Sequence, residues 1–178
     1  VDGDGICYRT LPGTDHPLAA YFTRGSGHNE AAKYTERPED YVNLVDRLTK
    51  KFETAKKYIP KPLVTSEAGA KIGILAYGST HQIIDETRDM LSKKSIKTNY
   101  LRLRALPMSD EVKKFYQDND RVYVVDQNRD GQMDLIIRGE LRELGLKSKS
   151  ITYYSGLPID AKTIADAILT GEKGALKS

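Results

Sequence analysis

Tryptophan is absent from the 178 residues, cysteine occurs once, at Cys7, and histidine, phenylalanine and methionine occur three times each. One cysteine excludes an intrachain disulfide framework and any multi-cysteine zinc or iron–sulfur site. It also fits a reducing, cytoplasmic setting. No apolar run approaches the ~18 residues a membrane span needs, and no signal peptide is visible. Charge of one sign is scarce too: 28 Lys and Arg stand against 25 Asp and Glu, a net of +3. That is too little to argue for nucleic acid, and the lysines at 50, 51, 56, 57 and 61 read as one solvated helix face. The chain opens Val1-Asp2-Gly3-Asp4-Gly5 without a methionine, and is expected to be a piece of something longer.

What is present describes a globular protein, with 39% hydrophobic and 30% charged residues. A chain of this length buries roughly 70% of the surface it exposes when unfolded, enough for one sizeable core. Residues 1–36 are punctuated by glycine and proline too often for long regular elements. Pro38, Glu39 and Asp40 then open a helix, with proline in its first turn and carboxylates at the positive end of the dipole. Tyr41, Leu44, Val45, Leu48, Phe52, Ala55 and Ile59 form its apolar stripe, and Pro60-Lys61-Pro62 stops it. From residue 71, short apolar runs alternate with helical stretches. Strands are expected at 71–77, 99–103, 121–125 and 150–154, and helices after Thr80, from Ser109, at 132–144 and at 160–169. This alternation predicts βαβ units in an α/β fold with a mostly parallel sheet. The best domain boundary is the break at 60–69.

Several motifs point to chemistry. Gly78-Ser79-Thr80 lies where the first strand feeds a helix, the place where open α/β sheets bind anions. Plain capping by Ser79 or Thr80 is the simpler reading. There is no Walker lysine, and His81 has no assignable catalytic partner. Asp126, Asn128, Asp130 and Asp134, with Gly131, imitate a calcium loop, but Ile137 stands where a closing Glu is needed and a strand precedes it. Gly3-Asp4-Gly5 with Asn29 imitates a magnesium–diphosphate motif, yet Pro12, Gly13 and Pro17 break the helix that motif requires. His28 and Glu30 lack a third metal ligand, and Cys7 lacks a local base. By site chemistry alone no complete active centre is visible.

Taken in order, several segments carry a resemblance. They are Arg9-Thr10-Leu11-Pro12-Gly13-Thr14, Ala20-Tyr21-Phe22-Thr23-Arg24-Gly25, Gly27-His28-Asn29-Glu30 and Lys51-Phe52-Glu53-Thr54-Ala55-Lys56. Tyr77-Gly78-Ser79-Thr80, Leu101 to Pro107, Val124 to Asn128 with Gly131-Gln132, and Tyr153 to Ile159 continue the series. The chain resembles the C-terminal part of the α subunit of 2-oxoacid:ferredoxin oxidoreductases, particularly the 2-oxoglutarate type. The resemblance implies three parts: 1–36 as the extended tail of a pyrimidine-binding domain, 37–69 as a linker helix and connector, and 70–178 as a three-layer transketolase C-terminal-like domain. It implies a parent complex that uses thiamine diphosphate, magnesium, iron–sulfur clusters and coenzyme A, with a β subunit, a γ domain or subunit and ferredoxin as partners. The resemblance implies that the activating glutamate would sit upstream of Val1, so this fragment is expected to hold no catalytic residue, cofactor or metal of its own. The Asp126 loop matches a strand-to-helix turn without a calcium role; relatives often carry Glu at that position. The insertion at 15–20 fits variants with γ fused ahead of α.

The expected role is therefore assembly within an oxidative decarboxylase, with an N-terminal segment that needs partner surface for order. Tyr8, Tyr21 and Phe22 are the candidate contacts. The alternative is a stand-alone anion- or nucleotide-binding module using Gly78, Ser79 and Thr80; calcium at Asp126 stands third.

Overall fold

A computed structural model describes residues 1–20 and 27–175, with side chains to Lys173. Contacts divide the chain into two units, Val1–Ile59 and Pro60–Ser178. Tyr21 and Phe22 lie outside the described residues.

In the first unit, α1 (Pro38–Ala55) starts as expected, with proline in its first turn followed by Glu39 and Asp40. It ends at Ala55, before the stripe's last member Ile59, and the chain passes through turns to Pro60. No residue of α1 is buried, and Tyr41 and Phe52 are 61% and 59% exposed. Its apolar stripe is therefore a surface feature. The glycine-rich start is tied to the helix by its backbone: Thr54 Oγ1 donates to Asp4 O at 2.6 Å and Arg47 Nη1 to Gly5 O at 3.1 Å. Gly5 takes φ +78°, and a Cβ there would stand 2.8 Å from Arg47 O. The close approach requires glycine.

The second unit is a five-stranded sheet between helices. The strands are β1 (Leu63–Thr65), β2 (Ile72–Tyr77), β3 (Thr98–Leu103), β4 (Arg121–Asp126) and β5 (Ser148–Thr152), in the order β1-β3-β2-β4-β5. All neighbours are parallel except β1, which runs antiparallel along β3. Alternate side chains feed two cores, as a sheet covered on both faces requires. Ile74, Ala76, Tyr123 and Val125 pack with residues of α2 (Ile84–Ser92) and α5 (Ala161–Ala175). Leu75, Val122 and Val124 pack with residues of α3 (Asp110–Asp118) and α4 (Gln132–Leu141). This is the mostly parallel α/β fold that the alternating pattern predicts, in the three layers that the resemblance implies.

The boundaries differ in several places: α5 runs on to Ala175 where it was expected to end at 169, and β5 lies two residues earlier than the expected 150–154. β1 has no run long enough to announce it, and its three residues gain a partner only through β3. The helix expected over 132–144 stops at Leu141 and continues as a 3-10 helix over Arg142–Lys147. Arg142 takes φ +50° there, and Gly145 packs so close that a Cβ would stand 2.7 Å from Arg138 Cα. At the amino end of the strands, buried Asn99 and Asn119 are hydrogen-bonded to each other (2.9 Å), and Asn99 also donates to Ala70 O. Lys147 Nζ donates to Tyr116 O and Asn119 O, at 2.8 Å each, placing a cation at the negative end of α3.

Candidate functional site

The chain leaves β2 for β3 on one side and reaches β4 on the other, so the strand order reverses between β2 and β4. In open α/β sheets this is where a cleft forms outside the carboxyl ends. Both sequence candidates, Gly78-Ser79-Thr80 and the Asp126 loop, sit here. β2 ends in Tyr77 and β4 in Asp126, each two residues beyond the Leu75–Val124 pair.

Gly78, Ser79 and Thr80 open a six-residue 3-10 helix, Gly78–Ile83, with no side-chain cap. Gly78 takes φ +59° and, like Ser79, is exposed. Thr80 is buried, and its hydroxyl accepts from Gln127 Nε2 at 2.9 Å. Gln127 Oε1 in turn accepts from Ile159 N at 3.3 Å. Thr80 thus ties the turns that follow β2 and β4 together and does not cap a helix.

Asp126 is fully buried. Its Oδ1 accepts from the Tyr77 hydroxyl at 2.6 Å, Asn128 Nδ2 at 3.0 Å and Met133 N at 3.4 Å. Its Oδ2 accepts from Asp134 N at 3.4 Å. A carboxylate at the start of α4 faces the positive end of the helix dipole. The position a ligand anion takes in a doubly wound sheet is filled by a side chain. Burial, with the bond to Asp126 second, pushes the Tyr77 phenol up to about 12.

The remaining members of the calcium-like series face elsewhere. Asn128 Oδ1 accepts from Asp130 N and Gln132 N, shaping the turn. Asp130 pairs with Arg129 at 2.7 Å at the surface, and Asp134 with Arg138 at 2.9 Å. Among the described residues no three His, Cys, Asp or Glu side chains gather as a metal site. His81 stacks on Tyr100, ring centres 5.9 Å apart and planes 7° from parallel, with Nδ1 3.2 Å from the phenol oxygen. Burial raises the Tyr100 phenol to about 12.

In the first unit a cavity of about 400 Å³ is lined by Cys7, His28, Asn29, Glu30, Asp40 and Arg47, among others. Several of its polar groups serve the local fold. His28 Nδ1 lies 3.0 Å from Asn29 O, Asn29 Oδ1 accepts from Ala31 N and Lys33 N, and Asp40 accepts from Thr35. Asp4 binds Ile6 N in a surface turn and lines a separate cavity, apart from Asn29. Tyr8 is 81% exposed, its hydroxyl on Asp2.

Comparison with known proteins follows this geometry. No family model matches the sequence. The chain is 26% identical over 185 residues to 2-oxoacid:ferredoxin oxidoreductase 2, subunit alpha, of Aeropyrum pernix, covering 98% of this chain and 28% of that protein. It is 24% identical over 149 residues to the 2-oxoglutarate synthase subunit KorA of Archaeoglobus fulgidus, covering 83% of this chain and 40% of that one. The chain resembles 2-oxoacid:ferredoxin oxidoreductase alpha subunits. It spans between a quarter and two fifths of the length of these relatives. The fold agrees: the 2-oxoglutarate:ferredoxin oxidoreductase of Magnetococcus marinus, solved with 2-oxoglutarate, coenzyme A and succinyl-CoA bound, superposes with a TM-score of 0.79 at 24% identity. That likeness covers 95% of this chain and 29% of the oxidoreductase chain.

The sequence signals found the cleft but missed its central pair. By its spacing Asp126 reads as a cation ligand, and Tyr77 only as the end of a strand. The available signal was positional: each closes one of the two strands that flank the switch point.

Proposed function

We propose that the chain is a non-catalytic part of the alpha subunit of a thiamine-diphosphate-dependent 2-oxoacid:ferredoxin oxidoreductase, and that it serves assembly. Residues 1–36 are then the tail of the pyrimidine-binding domain, 37–69 the connector and 70–178 the transketolase C-terminal-like domain. The parent complex is read as cytoplasmic, with β and γ partners, iron–sulfur clusters, coenzyme A and ferredoxin, and 2-oxoglutarate as its 2-oxoacid. The relatives support the subunit assignment. The buried Asp126 carboxylate is the observation that carries the non-catalytic half.

The described residues do not fit thiamine diphosphate. A bound diphosphate needs free N–H donors or a cation held by oxygen ligands. The first N–H groups of α4 are already used, Gln132 N by Asn128 and Met133 N and Asp134 N by Asp126, and no ligand trio is gathered among the described residues. No catalytic step is assigned to this chain.

The test uses the complete gene, coexpressed anaerobically with its β partner. Coenzyme A-dependent reduction of a viologen dye is followed with 2-oxoglutarate, pyruvate and branched 2-oxoacids. Reduction with 2-oxoglutarate is expected. Copurification without reduction by any 2-oxoacid, with cofactors loaded, would leave the likeness architectural. The anion-module reading predicts that phosphate or coenzyme A raises the melting temperature of this chain; no shift is expected.

A further inference from the structure

Helix α4 has an outer face that stands open among the described residues. Met133, Asp134 and Ile137 turn inward and are buried. On the opposite side Leu135 is 61% exposed. Gly139, one turn later on the same face, is also exposed, with nothing within 4 Å of where a Cβ would stand. Ile136 is exposed beside them, as is Leu146 just past the helix. Glycine weakens a helix interior. Neither packing nor a turn calls for it here, since the left-handed residue that ends α4 is Arg142. An apolar knob and an empty hole thus stand side by side on one helix. We infer that this face is an isologous interface, on which α4 of a second copy of this chain packs antiparallel.

Shape and charge both select a second copy. A two-fold interface must be self-complementary. Two α4 helices crossed antiparallel place Leu135 of each in the gap at Gly139 of the other, a ridge in a groove. Charge matches in the same arrangement. Arg129 and Asp130 are exposed just before the helix, and Arg142 and Glu143 just after it. Run antiparallel, each copy sets its Arg129 beside the other's Glu143 and its Asp130 beside the other's Arg142, opposite signs at both ends. Run parallel, each of these residues would face itself, and Leu135 would meet Leu135 instead of the gap. The ten residues of α4 make a helix about 15 Å long. The contact therefore falls below the ~800 Å² per partner of a standard interface, and the association is weak. The inference concerns this chain alone and does not use the subunit assignment, so either can fail separately.

Sedimentation of the 178-residue chain tests it. The weight-average mass should climb from one chain toward two between about 10 μM and 1 mM, the range of a weak interface. Gly139→Gln fills the hole and should weaken the association roughly ten-fold or more. The same substitution should raise the melting temperature at low concentration, because a better helix former then stands in open space. That rise separates a blocked interface from a damaged fold.

A charge exchange tests the direction of the crossing. Arg142→Glu should weaken the dimer, and Arg142→Glu combined with Asp130→Arg should bring it back, because the two sites meet only across an antiparallel pair. A mass of one chain at 1 mM overturns the inference, and is the result expected if a different subunit covers this face. A dimer unchanged by Gly139→Gln overturns it as well, by moving the contact to another surface. Loss in Arg142→Glu without recovery in the double variant overturns the antiparallel arrangement.

Discussion

The Tyr77 hydroxyl donates to Asp126 Oδ1 at 2.6 Å, joining the carboxyl ends of adjacent strands between residues 49 apart in sequence. The bond closes the sheet at the point where the topology would otherwise leave a cleft. Asn128, Met133 N and Asp134 N complete the shell around the same carboxylate. One buried acid therefore ends β4, starts α4 and is bound to β2. A side chain with three structural duties is engaged at both oxygens and closed off from solvent.

Tyr77→Phe removes the shortest of these bonds and keeps the ring. Hydrogen bonds to charged groups contribute about 1.5–3 kcal/mol, so a loss of that size is expected in urea unfolding with an unchanged m-value. A change under 0.5 kcal/mol would show that the other donors hold Asp126 unaided.

Alkaline pH probes the same contact. Tyr77 and Tyr100 are both pushed up to about 12, burial being the first cause at each. In the unfolded chain a tyrosine ionises near 10. A raised folded-state value means the native state holds its protons longer, so the stabilisation is complete below pH 10 and disappears as pH rises to 12. The urea midpoint should fall across that window, and less steeply in Tyr77→Phe. Equal slopes would remove Tyr77 from the cause.

Much of the second unit was legible because the centres of β2 and β4 are buried on both faces and therefore read as short apolar runs. Ile74 and Leu75 serve opposite cores without any polar residue between them. β1 escaped notice because three exposed residues, Leu63 to Thr65, carry no pattern of their own. α1 misled in another way: its spacing identifies a helix correctly, but Tyr41 and Phe52 are exposed among the described residues. The cleft was legible as a place, since glycine and small polar residues follow both strands. Its occupancy was not, because the bond from Tyr77 to Asp126 depends on two distant strand ends meeting in register.

Gly73, on β2, is fixed by its neighbour on α3. A Cβ there would lie 2.7 Å from Phe115 Cε1 and 2.9 Å from Cζ, with Val122 Cγ2 at 3.2 Å. Gly73→Ala should destabilise by about 1–3 kcal/mol through overpacking. Phe115→Leu, costly alone, should offset part of this in the double variant, with a coupling of at least about 0.5 kcal/mol. Strict additivity would contradict the contact.

Glu172 fastens the last helix to β4. It is 7% exposed and accepts from Arg121 Nε at 2.9 Å, Arg121 Nη2 at 2.6 Å and the Tyr123 hydroxyl at 2.8 Å. The guanidinium fork matches the carboxylate oxygens, a strong and directional pairing. Burial, reinforced by Glu172, pushes the Tyr123 phenol upward, so this hydroxyl stays a donor through neutral pH. Glu172→Ala strands both donors beside a nearly closed pocket. Removing one partner of a fully buried ion pair costs about 3–5 kcal/mol. Arg121 keeps 34% of its side chain in solvent, which lets water repair part of the loss and brings the expected cost to about 2–3 kcal/mol. Glu172→Gln retains an acceptor and the volume, and should lose less. Tyr123→Phe should cost about 1 kcal/mol, the worth of one hydrogen bond. Urea unfolding of the three variants orders them, and a Glu172→Ala variant as stable as Glu172→Gln would show that α5 is held by its apolar face alone.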